Sequence, residues 1–158
     1  MINELAVDDF LRRALEEDLA WGDVTTDSLI GASQISECGL FAKEEGLLAG
    51  AAVFERAFHI LDARVAVRWN KTDGDRVQPD DKIAELRGST RAILKGERVA
   101  LNLLQRMSGI ATKTHTMCEL IREYPARLTD TRKTLPGFRM LDKYAVSVGG
   151  GVNHRMSL

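Results

Sequence analysis

The chain has 158 residues, 44% hydrophobic and 28% charged, a balance that suits a globular domain with a core of its own. Its net charge of −1 gives no support for a general nucleic-acid or membrane surface, and no apolar run approaches the roughly 20 residues of a membrane-spanning helix. The N-terminus is acidic and amphipathic, unlike a signal peptide. Cys38 and Cys118 are isolated, and His59, His115 and His154 have no zinc spacing. The expectation is a cytoplasmic protein with free thiols.

Val7, Phe10, Leu11, Ala14, Leu15 and Leu19 recur at helical spacing and predict a helix over 7–19. It ends at Trp21-Gly22, and Asp23 to Thr26 reads as a capped turn. Residues 38–42 and 46–52 read as short strands about the Glu44-Glu45-Gly46 turn. A helix over 53–61 carries Phe54, Ala57, Phe58 and Leu61 on one face. Residues 64–70 alternate as a strand, with Val65 and Val67 on one side. Asp73-Gly74-Asp75 and Pro79-Asp80-Asp81 form polar turns before a strand over 82–87, closed by Gly88. This corner resembles those of biotinyl-type barrels, although any sheet turn needs Gly and Asp there.

From Arg91 the apolar steps are three and four for a long stretch, so one long helix is predicted, with a kink or break at Ser108-Gly109 and an end at Pro125. A strand over 126–131, a helix over about 137–146 and a glycine loop at 149–151 follow. The order predicts an α+β unit, then the opening of an α/β barrel. A complete barrel takes about 250 residues, and a lone strand leaves an unpaired edge. The chain is therefore expected to be a fragment, or to be completed by another chain.

Charge is unevenly spread. The first 30 residues hold eight acids against Arg12 and Arg13, whereas the tail from Arg127 holds four Arg and two Lys against Asp130 and Asp142. Residues 130–137 read DTRKTLPG and place Arg132, Lys133 and Thr134 just past the predicted strand, where parallel α/β architectures bind ligands. Residues 149–155 read GGGVNHR and end on His154 and Arg155. Such segments suit a ligand with several negative charges, because planar Arg forks match carboxylates and phosphates.

Four segments in order, EDLAWGDVTT (17–26), GERVALNLLQRMSGIAT (96–112), DTRKTLPGFR and GGGVNHR, resemble nicotinate-nucleotide pyrophosphorylases, the quinolinate phosphoribosyltransferase family. The resemblance covers the whole chain. It implies an α+β open-faced sandwich domain over 1–107, followed over 108–158 by the first part of an α/β barrel. It implies transfer from phosphoribosyl pyrophosphate to quinolinate, giving nicotinate mononucleotide, pyrophosphate and carbon dioxide, with Mg2+ accompanying the pyrophosphate. It also implies a homodimer or larger homo-oligomer with shared sites. Arg132, Lys133, His154 and Arg155 would hold the quinolinate carboxylates, Thr131 would line the same pocket, and Arg98 would reach into a neighbouring subunit's site. Arg139 and Lys143 are second-tier candidates for substrate contact. Ser147 and Val148 stand where many bacterial members carry Arg and Cys. The family's later lysine, acidic pair and glycine-rich phosphate region have no counterpart here, so this chain is expected to be an N-terminal portion without turnover of its own. Two other readings stand beside this one: a short, non-catalytic binding or regulatory protein, and a related phosphoribosyltransferase-like protein of molybdenum transport operons.

Overall fold

The structure, a computed structural model, describes residues 4–156. Helix α1 (Glu4–Leu19) buries Val7, Leu11 and Leu15, the stripe that its sequence period requires. Asp23 accepts the Thr26 N–H at 2.9 Å. The expected capped turn is therefore the start of a short helix, α2 (Val24–Leu29). The Thr26 side chain, and then its N–H, hold the Asp23 carboxyl below its ordinary range.

Strand β1 (Ile35–Phe41) pairs antiparallel with β5 (Lys82–Ser89), and β5 pairs antiparallel with β3 (Ala66–Trp69), placing Cys38 and Val67 on either side of Leu86. β2 (Gly46–Leu47) and β4 (Arg76–Val77) form a separate two-stranded ladder. The two short strands expected about Glu44-Glu45-Gly46 form, but they pair with later strands and not with each other. The second of them is short because Gly50, at φ 101°, turns the chain into α3 (Ala51–Leu61). The α3 N-terminus is capped from outside: Asp73 accepts the Gly50 and Ala51 N–H groups, each at 2.9 Å. The Asp-Gly-Asp turn is thus a helix cap as well as a bend.

Helix α4 (Thr90–Leu120) runs unbroken through Ser108-Gly109, across the expected domain boundary. Neither residue perturbs it. Ser108 Oγ accepts the Ala49 N–H at 3.0 Å, and no neighbour crowds Gly109. Thr112 Oγ1 accepts the Leu47 N–H at 2.8 Å, so the two hydroxyls fasten the β2–α3 turn to the helix. Helix α5 (Arg139–Val148) packs on the later part of α4 and buries Leu141 and Ala145 completely. A Cβ at Gly149 would lie 2.4 Å from Ala111 O, so only glycine permits this approach. Gly150, at φ 90°, then turns the chain back.

The returning segment meets the one before α5. Val152 N–H donates to Leu128 O at 2.9 Å and Asp130 N–H to Val152 O at 3.1 Å, a parallel bridge between Thr129 and Val152. The strand expected over 126–131 is realised as this single bridge. The ladder stops because the next donor, His154 N–H, goes to the Asp130 side chain at 2.8 Å instead of to backbone. The result is a first β-α-β turn behind an α+β unit. One continuous core runs from Val7 in α1 to Ala145 in α5.

Tyr144 on α5 joins the two units by donating to Asp73 Oδ2 at 2.7 Å. Burial, and then the Asp73 carboxylate, push the phenol above its ordinary value. Replacing Tyr144 by Phe should lower unfolding free energy by about 1.5–3 kcal/mol, as for other hydrogen bonds to a charged group. The unfolded phenol ionises from about pH 10 while the folded one stays protonated, so stability falls as pH rises past that point. Urea unfolding at neutral and alkaline pH should show Tyr144→Phe both weaker and flatter in that decline. An unchanged slope would contradict the assignment.

Candidate functional site

The Thr129–Val152 bridge sets two polar segments side by side. After the first, Thr131 Oγ1 accepts the Lys133 N–H at 3.2 Å, a local turn that leaves Thr131 and Lys133 exposed and Arg132 half-buried. After the second come His154 and Arg155, both exposed. Among the described residues, the side chains of Arg132, Lys133, His154 and Arg155 have no hydrogen-bond or ion-pair partner. Arg132 Nε is a buried donor left unsatisfied. Several cations elsewhere are spent within the chain, although the side chains of Lys43, Lys113 and Arg127, each standing alone on its own segment, also make no hydrogen bond or ion pair among the described residues. Arg56 pairs with Asp8, Arg68 with Glu85, Lys95 with Asp27 and Arg106 with Asp142. Unpaired cations on two adjacent segments, one with a desolvated free N–H, make a receptor for an anion.

Asp130 locks the two segments together. Its carboxylate Oδ1 accepts Lys143 Nζ at 2.5 Å and the His154 N–H at 2.8 Å. Lys143 Nζ also donates to His154 O at 2.9 Å. In the orientation that satisfies both its ends, the Asn153 amide donates to Asp130 Oδ2 at 2.7 Å and to Lys143 O at 2.8 Å. The Lys143 and Asp130 side chains are 1% and 4% exposed. Lys143 is therefore fully engaged inside the fold and does not offer its ammonium to a ligand, contrary to its place among the second-tier contacts. Arg139 is likewise occupied, donating to Arg132 O at 3.3 Å, Thr134 Oγ1 at 3.4 Å and Met156 O at 3.4 Å. Asp130 and Asn153 were not among the predicted site residues. Their signal is faint: an acid opening an otherwise basic segment, and an amide beside the His-Arg pair.

Arg98 lies elsewhere. It is 72% exposed on α4 and donates to Asp18 of α1 at 2.8 Å, an ion pair that raises its already high pKa. It lines a cleft of about 560 Å³ with Asp18, Asp23, Lys95, Asn102 and Gln105. Within one chain it is not joined to the other predicted residues. Ser147, exposed, donates to Tyr144 O at 2.6 Å within α5. His59 contacts Val65 O at 2.8 Å and His115 contacts Arg76 at 2.9 Å, so both histidines outside the site have structural partners. Among the described residues, no group of three His, Cys, Asp or Glu could hold a metal ion, and no helix is long and apolar enough to cross a membrane.

Comparison with known proteins gives a consistent result. The family model for the quinolinate phosphoribosyl transferase N-terminal domain matches residues 23–108, and that for the C-terminal domain matches residues 110–158. A probable nicotinate-nucleotide pyrophosphorylase (carboxylating) of Bacillus subtilis is 45% identical over 99% of this chain and 54% of its own length. Quinolinate phosphoribosyltransferase (decarboxylating) 1 of Nicotiana glauca is 44% identical over 94% of this chain and 42% of its own. The crystal structure of NadC from Streptococcus pyogenes superposes with a TM-score of 0.96 at 42% identity, covering all of this chain and 56% of that one. The chain thus spans about half the length of the curated relatives it matches.

Because the cations on these segments are unpaired, a multivalent anion should stabilise the chain. Inorganic pyrophosphate at 100 times its dissociation constant should add about 2.7 kcal/mol, read as a rise in melting temperature. The rise should shrink sharply in a Lys133→Ala/Arg155→Ala chain. An equal rise in both proteins would place the anion elsewhere.

Proposed function

This chain belongs to the quinolinate phosphoribosyltransferase family, and from that premise we propose that it carries the quinolinate-binding part of a phosphoribosyl-transfer site. The reaction is transfer from phosphoribosyl pyrophosphate to quinolinate with decarboxylation, giving nicotinate mononucleotide, pyrophosphate and carbon dioxide, a step in making NAD. The observation that carries the reading is a set of unpartnered side chains on two adjoining segments: the cations Arg132, Lys133 and Arg155, and the imidazole of His154. Quinolinate bears two adjacent carboxylates on a flat ring. Two guanidinium forks, an ammonium and an imidazole can take both, and Thr131 lines the same place.

Holding the ring by its carboxylates leaves the pyridine nitrogen free to meet the anomeric carbon of the second substrate. Attack there expels pyrophosphate through an oxocarbenium-like state. The ring nitrogen then becomes cationic, the carboxylate beside it departs as carbon dioxide, and the electron pair left on that ring carbon takes a proton from solvent. The residues of this chain act by position and charge, without a covalent nucleophile. Magnesium belongs with the phosphoribosyl pyrophosphate. The described residues offer it no carboxylate cluster, so no step is assigned to it here.

Arg98 fits this scheme as a residue given to a second copy. It stands on the exposed side of α4, apart from the other four. The proposal therefore includes a homodimer or larger homo-oligomer with shared sites, in which a neighbour's ligand would take Arg98 from the Asp18 carboxylate that it meets within this chain. The division into units at 107/108 then falls inside α4, which runs through both. A cytoplasmic location goes with this reading. Because the cations described account only for carboxylate recognition, a second reading remains: a chain that binds the dicarboxylate without turning it over.

Titration calorimetry tests the first claim. Pyridine-2,3-dicarboxylate should bind at least about tenfold more tightly than pyridine-3-carboxylate, since the second carboxylate adds a charge-assisted contact of roughly 1.5–3 kcal/mol. Arg132→Ala and Arg155→Ala should each remove about that much. Equal affinity for the two ligands would contradict the proposal. Formation of nicotinate mononucleotide by the purified chain would remove the non-catalytic reading. In full-length context, mixing an Arg98→Ala chain with an Arg132→Ala chain should restore activity that neither shows alone; no recovery would argue against a shared site.

A further inference from the structure

We infer that Lys143 and Asp130, with Arg139 one turn earlier, are positioning residues that set the two anion-binding segments in register without touching the ligand. The inference rests on the proposed quinolinate site. It gives Lys143 and Arg139 a role other than substrate contact, and gives Asp130 a role where the sequence suggested none.

The geometry is reciprocal. Lys143 Nζ reaches the side chain of Asp130, at the start of the first segment, and the backbone oxygen of His154 in the second. Asp130 in turn accepts the His154 N–H. Arg139 spans the same gap further out, from Arg132 O and Thr134 Oγ1 to Met156 O. Both cations project from one side of α5, four residues apart. The contacts fall on the backbone of Arg132 and His154, so they fix where the ligand-facing side chains start and leave those side chains free. Among the described residues, a direct backbone ladder holds the segments only at Thr129–Val152. Beyond it, the Asp130 side chain and the two cations of α5 supply the registration.

A lysine this deeply buried would ordinarily be replaced by an apolar residue of similar size unless its charge served a purpose. Here the ammonium and carboxylate are exchanged for a fixed geometry between two otherwise separate turns. A site whose supporting shell is loosened loses affinity even when every ligand-facing group is present.

The test uses the 158-residue chain and an Asp130→Asn/Lys143→Met variant, which removes both charges at similar size and leaves no unpaired buried ion. Amide NMR spectra and titration with pyridine-2,3-dicarboxylate are recorded for both. The variant should stay folded and bind roughly tenfold more weakly. Amide shifts should change together at residues 131–133 and 153–155. Tyr144→Phe, on the same helix but directed at Asp73, serves as the control for mere destabilisation; its affinity should stay within about twofold of the parent. If the double variant does not fold, Arg139→Met, which leaves no buried charge, should show the same paired shifts with a smaller loss of affinity. Unchanged affinity in a folded variant, or shifts confined to one segment, would overturn the inference. If the parent chain itself binds no dicarboxylate, the proposed function fails. Paired amide shifts would then still support the registration, and unpaired shifts would still refute it.

Discussion

An ammonium group taken out of water costs several kcal/mol unless its donors are met. The Lys143–Asp130 pair, with 1% and 4% of the two side chains exposed, is where this fold accepts that cost. It is offset by contacts that each answer a separate need. The ammonium meets a carboxylate and a carbonyl, and the carboxylate meets a backbone N–H and an amide. Such a pair adds little net stability compared with apolar packing, but removing one member would leave the other stranded. What it specifies is geometry. It ties the turn after Thr129 to the turn after Val152, and the cationic side chains of the site hang from those turns.

That arrangement is anchored to the rest of the molecule through α5. On one side the Gly149 backbone lies against Ala111 O of α4, too close for any side chain. On the other, Tyr144 reaches Asp73, the residue that caps α3. Arg106 of α4 pairs with Asp142 and lies 4.7 Å over the Phe138 ring, which in turn meets Phe10 of α1 edge-on at 5.1 Å. The α+β unit and the first β-α-β turn thus share α4 and one core. A helix of about 46 Å is a stiff member for holding Arg98 at one place and the base of α5 at another.

The sequence carried the periodic parts of this architecture well. Helices α1, α3 and α4 follow from their apolar stripes, β3 from its alternation and β5 from the turns that bound it. Pairings were less legible. Nothing local in residues 38–47 says that β1 waits for β5 and β2 for β4, because register is decided by partners far along the chain. The short ladder after α4 was overstated as a strand because a side chain, Asp130, takes the hydrogen bond that backbone would have supplied. The basic segments themselves stood out by charge. Their support did not, although one clue was present: the tail from Arg127 has just two acids, Asp130 and Asp142, and each is the buried partner of a cation. Lys143 read as a ligand for the ordinary reason that basic residues near a basic site attract that reading. Only packing shows that its ammonium is already taken.

The most direct test is a crystal structure of the chain with pyridine-2,3-dicarboxylate bound. The ring should lie between residues 131–133 and 154–155, with carboxylate oxygens within hydrogen-bond reach of Arg132 and Arg155, and with Lys143 still on Asp130. A ligand seated instead in the cleft between α1 and α4, or a Lys143 released to contact it, would contradict the account.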